Sequence, residues 1–352
     1  MPILPNATSF KRLADGSDTR LLARALRCLL RVLSIPYGLV VYLRNRAFDL
    51  GLLQCLSCGA PVICVGNLSL GGTGKTPLVS WIARHLKASK MQPCIVSRGY
   101  GARQGQQNDE AAELSLILPD ILHYAHHDRI VAARKAVTTG SDVVILDDGF
   151  QHRRLVRDTN IIAVDATDPY GCGFLFPRGF LRESLREVRR ADAIVLTRST
   201  LVDESKRKEI RNTFQKLCPT KPLIWAESDH KPMRLRQSSG IERPLDFLCR
   251  KKIVAFAGIG NPDAFHRSLM SMDTHVVAFR PFPDHHMYSQ NDLTSLGTWG
   301  SQQKAELFIT TLKDLVKIQK DTLEGIPVVA VEIEIDFLVG RQEIEALIEG
   351  AV

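Results

Sequence analysis

Residues Val62 to Pro77 read VICVGNLSLGGTGKTP. Apolar and small residues lead into a glycine-rich turn, and Lys75-Thr76 opens a predicted helix. A strand, a glycine turn and a helix in that order make an anion site. Successive backbone N–H groups point into the turn, and the helix N-terminus adds partial positive charge. Gly71, Gly72 and Gly74 let the backbone approach phosphate oxygens without a Cβ in the way. Ser69, Leu70, Gly71, Gly72, Thr73, Gly74, Lys75 and Thr76 are therefore the candidate nucleotide cradle. Lys75 would reach the β- and γ-phosphates, and Thr76 would offer its hydroxyl to Mg²⁺. The strict GxxxxGK[ST] pattern fails at one place, because Ser69 stands where its first glycine belongs. Leu70 stands where many membrane-partitioning ATPases with a doubled glycine carry a lysine, which argues against that subgroup.

At 352 residues the chain exceeds the usual single domain, and 45% hydrophobic content is enough for a sizeable core. The formal net charge is +8, and residues 1–50 supply +5 of it, beside an apolar run. From Arg20 to Leu33 the sequence RLLARALRCLLRVL puts arginines at 20, 24, 27 and 31, one stripe of a helix with apolar residues over the rest. Val32 to Leu43 is uncharged but interrupted by Pro36 and Gly38, and is too short to span a bilayer alone, which takes roughly 20 residues. Two readings fit: an interfacial anchor on anionic lipid, or a helix packed on the protein's own core with its arginines in water. The first 19 residues lack the apolar core of a signal peptide, so the chain is expected to stay on the cytoplasmic side. The eight cysteines include one CxxC, Cys55 and Cys58, with no second pair at zinc-finger spacing, as expected of structural thiols in a reducing compartment.

After the glycine turn the pattern alternates as in an α/β fold. A helix is predicted over Thr76–Lys90, then a buried strand in PCIVSRGY that delivers Arg98 to the carboxyl end, where such sheets bind ligands. Asp109 and Glu110 read as the acidic start of a helix. His123 and His127 stand four apart, but the glutamate of HExxH is absent and they read as surface histidines. A helix is predicted from Asp128 onward. SDVVILDDG, Ser141 to Gly149, is a buried strand ending in Asp147 and Asp148, the placement a Mg²⁺-holding acid needs. Gln151 and His152 follow directly and could position a phosphate or carboxylate. Further strands are predicted at Ile161–Asp165, Ile194–Thr197, Leu223–Ala226, Lys252–Gly258, Val276–Phe279, Leu307–Thr310 and Val328–Val331, with a closing helix over Arg341–Glu349. The polar, proline-bearing stretch Pro219–Asp246 marks a domain boundary. The expected organisation is an N-terminal helical segment over 1–50, a core domain over 51–235 and a smaller α/β domain over 236–352.

Taken together, VGNLSLGGTGKTP, VSRGYG, NDE, DDGFQHRRL, FPRGFLRE, AGIGNP, FPDHHMYS and TTLKDLVKI resemble the tetraacyldisaccharide 4′-kinase family, in family order and over nearly the whole chain. The resemblance implies a P-loop NTPase core with a mostly parallel sheet, a smaller second α/β domain and an N-terminal membrane-associated helix. It implies transfer of the ATP γ-phosphate to the 4′-hydroxyl of a tetraacyl glucosamine disaccharide 1-phosphate, giving lipid IVA in lipid A biosynthesis. ATP and Mg²⁺ are the implied cofactors. The implied partners are the lipid disaccharide and an anionic membrane surface, with no nucleic acid, for a monomer at the cytoplasmic face of the bacterial inner membrane. Carried over residue by residue, Asp109 matches the catalytic acid, with His285 and Asp284 tuning its proton from the second domain. Asp147, Asp148 and Thr76 would hold the metal, with Glu110 or Glu183 completing its shell. Arg98, Arg129 and Arg182 would meet the substrate phosphate or the phosphoryl group in flight. A partner that raises the pKa of Asp109 is expected, because a carboxylate is a weak base for an alcohol.

The chain departs from the family pattern at three places. Asn108-Asp109-Glu110-Ala111 replaces GDEP, PRGFLRES at 177–184 replaces PxGPLREP, and Leu312 replaces the glutamate of TTEKD. The alternatives kept open are a kinase of a soluble small molecule and a membrane-associated P-loop ATPase switch.

Overall fold

The structure is a computed structural model and describes residues 7–99, 109–260, 262–272 and 274–352. Tyr100, Asn108 and Asn261, each in a motif quoted above, lie outside the described residues. In chain order the elements begin with α1 (Ala7–Asp15), α2 (Leu21–Asp49), β1 (Val62–Gly66), α3 (Lys75–Ala88), β2 (Pro93–Ser97), α4 (Asp109–Ile117), β3 (Leu122–Ala125), α5 (Arg129–Thr138) and β4 (Val143–Asp147). They continue with β5 (Thr159–Asp165), β6 (Ala193–Thr197), α6 (Glu204–Leu217), β7 (Ile224–Arg236), β8 (Glu242–Arg243), β9 (Ile253–Ala257), α7 (Pro262–Met270) and β10 (Val276–Pro281). Last come α8 (Gln290–Gln302), β11 (Leu307–Thr311), α9 (Leu312–Ile318), β12 (Thr322–Leu323), β13 (Ile326–Val339) and α10 (Arg341–Glu349).

The described residues fall into two compact units, the larger taking in 9–99, 118–230 and 335–352, the smaller 109–117 and 231–334 with 7–8. This departs from the three contiguous domains expected. The N-terminal helices belong to the larger unit, α4 joins the smaller one, and α10 returns to the larger. Apolar burial decides each case. The α4 residues Ala111, Leu114 and Ile117 are buried in the smaller unit, where α4 packs on α9. In the larger unit, Ile344 and Ile348 of α10 are buried, and Gly340 before them turns with φ +82 where a Cβ would meet the Trp225 carbonyl at 2.4 Å.

The larger unit is a parallel sheet in the order β7-β6-β5-β1-β4-β2-β3. Strands β1, β2, β4 and β6 are buried at every position, which is why they read as unbroken apolar runs. The register sets Val65 beside Asp147, Gly66 beside Ile162 and Asp165 beside Thr197, so the carboxyl ends of four strands share one edge. The smaller unit has parallel strands in the order β10-β9-β11-β13, with an apolar core of Leu235, Leu248, Ile253, Leu269, Leu307, Ile309 and Val329.

Three local expectations change. The edge strand β3 was not foreseen, because LHYA is only half-buried and shows no apolar alternation. β7 runs on to Arg236 through residues read as a linker, its charges held by pairs such as Arg236 with the buried Glu332 at 2.8 Å. α2 continues through Pro36 and Gly38 as one helix of 29 residues, ~43 Å long. Its inner face is fastened to the 174–183 loop. The Ser34 hydroxyl donates to the Leu175 carbonyl at 3.0 Å, Tyr37 OH to the Arg182 carbonyl at 2.9 Å, and Asn45 Nδ2 to Glu183 at 2.7 Å. Gly38 is required there, since a Cβ would lie 2.8 Å from Leu175. Its outer face leaves Leu22, Leu29, Val32, Leu33, Ile35, Leu39, Val40 and Leu43 exposed.

Gly66, at the end of β1, has room for no side chain, because a Cβ would lie 2.6 Å from Phe150 Cβ and 2.8 Å from its backbone nitrogen. Gly66→Ala is expected to cost ~1–3 kcal/mol by overpacking. A thermal melt checks this, and an unchanged midpoint would mean the two segments are not in contact.

Candidate functional site

The turn after β1 is shaped by its glycines. Gly71 has φ +107, and Gly74 caps α3 from the left-handed region at φ +78. Two contacts hold the turn: Thr197 Oγ1 at the end of β6 donates to the Thr73 carbonyl at 2.9 Å, and Leu70 N–H donates to the Phe180 carbonyl at 2.6 Å. α3 therefore begins at Lys75, one residue earlier than expected, and its first amides face the turn.

Lys75 is only 9% exposed, and its Nζ lies 3.3 Å from Asp148 Oδ1. Asp148 follows β4 in a left-handed backbone conformation, φ +49. Arg182 Nη1 reaches both of its carboxylate oxygens, at 2.9 and 2.8 Å, and the buried Arg129 donates to its carbonyl at 3.1 Å. Burial alone would push the Asp148 carboxyl up, but Lys75, Arg182 and Arg129 outweigh it and hold it far below the usual carboxylate range. Gln151 braces the same corner, donating to the Asn67 carbonyl at 2.9 Å and accepting from Arg182 at 3.4 Å. His152 is pushed down to about 4 by burial and by Arg129, Arg154 and Arg157, so it is neutral at physiological pH. Asp147 is buried at 3% exposure, and Arg98 stands exposed after β2. Thr76 is half-buried in the first turn of α3.

Glu183 departs from its expected place in a metal shell. It is fully buried, with its carboxylate on Asn45, on Arg190 at 2.5 Å and near Arg44 at 3.6 Å, so it fastens α2 to the loop. Glu110 lies in the smaller unit, where Lys313 faces it at 3.6 Å. Thr76, Asp147 and Asp148 remain as the oxygen donors of the larger unit. Among the described residues no three His, Cys, Asp or Glu side chains form a metal-sized cluster. Mg²⁺ asks for less than that, since it takes one or two carboxylates and fills its shell from water and phosphate.

The smaller unit holds a second constellation. Asp109 opens α4, and its Oδ2 lies 3.1 Å from His285 Nδ1 and 3.0 Å from Lys317 Nζ. Asp109 and His285 thus sit in one unit, not in separate domains as expected. Burial would raise the Asp109 carboxyl, but the hydrogen bonds from His285 and Lys317 and the Lys317 charge bring it below its ordinary value. His285 is raised by its bond to Asp109 and by the charge of Asp284, 4.0 Å from its Nε2. The expected elevation of Asp109 is therefore reversed. His285 has φ +56, a conformation fixed by its N–H donating to the Gly258 carbonyl and to Asp284 Oδ1. Behind it, the buried Asp314 accepts from Gly258 N–H, Tyr288 OH and Thr311 Oγ1.

Lys317, Lys313 and Asp314 were missed as site residues, although KDLVK after an apolar strand carries lysines at helical spacing four. His230, whose Nε2 would sit 2.7 Å from a Cβ on Gly74, had no sequence signal.

The family model "LpxK: Tetraacyldisaccharide-1-P 4'-kinase" matches residues 26–352. A tetraacyldisaccharide 4'-kinase of Syntrophus aciditrophicus is 36% identical over 87% of this chain and 88% of its own length. One of Geobacter metallireducens is 36% identical over 85% of this chain and 90% of its own. A crystal structure described as the "apo" form of LpxK from Aquifex aeolicus in complex with ATP is 31% identical, with a TM-score of 0.74 over 93% of this chain and 99% of that one.

The sign of the His285–Asp109 pairing sets its pH behaviour. Because His285 is raised, its share of stability is complete below its ordinary 6.5 and fades as pH rises through the higher folded value. Asp109, being lowered, loses its share only as pH falls from its ordinary 3.8 through the lower folded value. NMR titration of the histidines is expected to put the His285 midpoint above 6.5, and Asp109→Asn to lower it. A midpoint indifferent to that substitution would show the two side chains apart in solution.

Proposed function

Because the chain belongs to the tetraacyldisaccharide-1-P 4'-kinase family, we propose that it transfers the γ-phosphate of ATP to the 4′-hydroxyl of a tetraacyl glucosamine disaccharide 1-phosphate, giving lipid IVA. The observation that carries this reading is the glycine turn with Lys75 and Arg182 already gathered on Asp148, a cationic pocket at a helix N-terminus. The ATP named for the Aquifex aeolicus relative supports the same phosphoryl donor. The family match over residues 26–352 weighs against both a soluble-metabolite kinase and a switch ATPase.

The larger unit carries the donor side of the reaction. The amides of residues 69–76 and Lys75 bind the triphosphate. Arg182 and Arg129 stabilise charge on the phosphoryl group, with Arg98 at the rim and Gln151 and His152 bracing the corner. Thr76, Asp147 and Asp148 would hold Mg²⁺, which would supply charge neutralisation to the triphosphate. The smaller unit carries the acceptor side. Asp109 orients the 4′-hydroxyl and takes its proton as the O–P bond forms and ADP leaves, while His285 and Asp284 hold the carboxylate in place. A carboxylate with lowered pKa can do this because the phosphoryl-transfer transition state is loose and the hydroxyl loses its proton late. Asp109→Ala is expected to cut lipid phosphorylation by about 10²-fold or more while leaving ATP binding nearly intact. Full turnover in that variant would remove the assignment.

Substrate chemistry also calls for a membrane contact. Four acyl chains leave a bilayer only at ~0.8 kcal/mol per CH₂, so the enzyme works at the surface. The outer face of α2 suits this, because it is apolar from Leu21 to Leu43, with Arg24 and Arg31 also exposed. By length and composition alone α2 could cross a bilayer, since an 18-residue window within it has mean hydropathy 1.6. Its inner face, however, is bonded to the 174–183 loop through Ser34, Tyr37 and Asn45, which favours a helix lying on the cytoplasmic surface. Replacing Leu29, Leu33 and Leu39 by Asp is expected to lower binding to anionic vesicles about tenfold or more. Undiminished vesicle binding would assign the contact to another surface.

A further inference from the structure

Asp109 opens α4, and α4 packs on α9. α9 brings Lys313 to Glu110 at 3.6 Å and Lys317 to Asp109 at 3.0 Å, two lysines at helical spacing against two adjacent acids. Lys317 Nζ and His285 Nδ1 reach the same carboxylate oxygen, Asp109 Oδ2, at 3.0 and 3.1 Å. Among the described residues no hydrogen bond or ion pair falls on Asp109 Oδ1. Both arms trace back to one fully buried carboxylate, Asp314. Its Oδ2 accepts from the Gly258 N–H at 3.0 Å and from the Thr311 hydroxyl at 2.7 Å. Its Oδ1 accepts from the Tyr288 hydroxyl at 3.0 Å and lies 4.0 Å from Lys317 Nζ. Gly258 in turn gives its carbonyl to the His285 N–H at 3.2 Å. A Cβ on Gly258 would lie 3.0 Å from Asp314 Oδ1 and 3.2 Å from the Tyr288 oxygen, so the three are closely packed. Burial and the Asp314 charge push the Tyr288 phenol well above its ordinary range, which keeps it protonated as a donor.

We propose that Asp314 and Lys317 are positioning residues for the acceptor side of the reaction: Asp314 anchors Lys317 directly and His285 through Gly258, and those two pin Asp109 by Oδ2 so that Oδ1 is left to meet the 4′-hydroxyl. This rests on the kinase reading above and deepens it. Asp109 is the first residue of its helix, and an unpinned side chain there would sample several rotamers. Two donors fixed on one oxygen select one orientation. The hydroxyl proton then passes to Oδ1 as the hydroxyl oxygen bonds to phosphorus and the bond from phosphorus to ADP breaks. Lys317 is the stiffer arm, with 3% of its side chain exposed against 62% for His285. A buried ammonium is held only where anions meet it, and Asp109 and Asp314 are the two it faces. Without Lys317, Asp314 still keeps the Gly258, Thr311 and Tyr288 donors, so the junction outlasts the loss of that arm.

The test measures kcat and KM for lipid phosphorylation on the full chain with ATP and Mg²⁺ present. Lys317→Met keeps a side chain of similar reach and removes its charge. It is expected to lower kcat about 10²-fold, the scale of a displaced catalytic group, with KM for ATP unchanged. Lys317→Arg, which returns a cation to Asp109, is expected to recover much of that loss. In an Asp109→Ala background, Lys317→Met is expected to cost nothing further, because it acts only through that carboxylate. Asp314→Asn is expected to lower kcat and to shift the His285 ring resonances, although Asp314 meets that residue only through the Gly258 backbone. It carries the test should the methionine variant not fold. A Lys317→Met protein with the parental kcat, or one whose loss persists in full in the Asp109→Ala background, overturns the role of Lys317. Unmoved His285 resonances in Asp314→Asn overturn the junction. A parent chain that leaves the lipid unphosphorylated would sink the kinase reading beneath the proposal, an outcome distinct from either.

Discussion

Asp148 takes Lys75 on one carboxylate oxygen and Arg182 on both, while its own carbonyl receives Arg129. Lys75 and Arg129 are too buried to be carried as isolated charges, since removing one partner of such a group typically costs ~3–5 kcal/mol. On the proposed reading, the carboxylate stands in for the anion that the turn would receive. The desolvation of the cations is met during folding, so a phosphate bound as proposed would meet groups already aimed. The left-handed backbone at Asp148, the glycine at 149 that leaves no Cβ to strike Leu146 at 2.4 Å, and the packing of Phe150 under Gly66 all serve to hold that one side chain.

The smaller unit solves the opposite problem. Asp109, the base of the proposed reaction, is held beside a histidine and a lysine that both favour its ionised form. Lys317 is nearly buried, with 3% of its side chain exposed, and it shares itself between Asp109 at 3.0 Å and Asp314 at 4.0 Å. His285 is the more exposed partner, at 62%, so its hold on Asp109 is softened by water. The result is a carboxylate of low basicity in a fixed position. That suits a reaction in which positioning and charge contribute more than proton affinity.

The larger unit's sheet could be read from the sequence because its central strands are buried on both faces, which leaves unbroken apolar runs such as VVILD and AIVLT. The P-loop and Asp147-Asp148 were readable for the same reason, as polar residues at the carboxyl ends of such runs. What escaped was whatever depends on partners distant in sequence. Glu183 looked like a metal acid until Asn45, 138 residues away, was found on its carboxylate. β3 and the second half of β7 carry exposed and charged residues, so no periodicity marked them. Lys317 gave a helical spacing but no hint that Asp109 lay across from it. Pro36 looked like a helix break, yet the helix is held on both sides of it by Ser34 and Tyr37.

The tripeptide Leu181-Arg182-Glu183 serves two masters. Arg182 grips Asp148 with its guanidinium and gives its carbonyl to Tyr37 of α2, while Glu183 holds Asn45 one helical span further on. Any tilt or slide of the greasy arm must drag the backbone of that arginine along with it. On the proposed reading, in which the outer face of α2 rests on lipid, bilayer fluidity and headgroup charge would become mechanical inputs to phosphate transfer, delivered through one carbonyl oxygen.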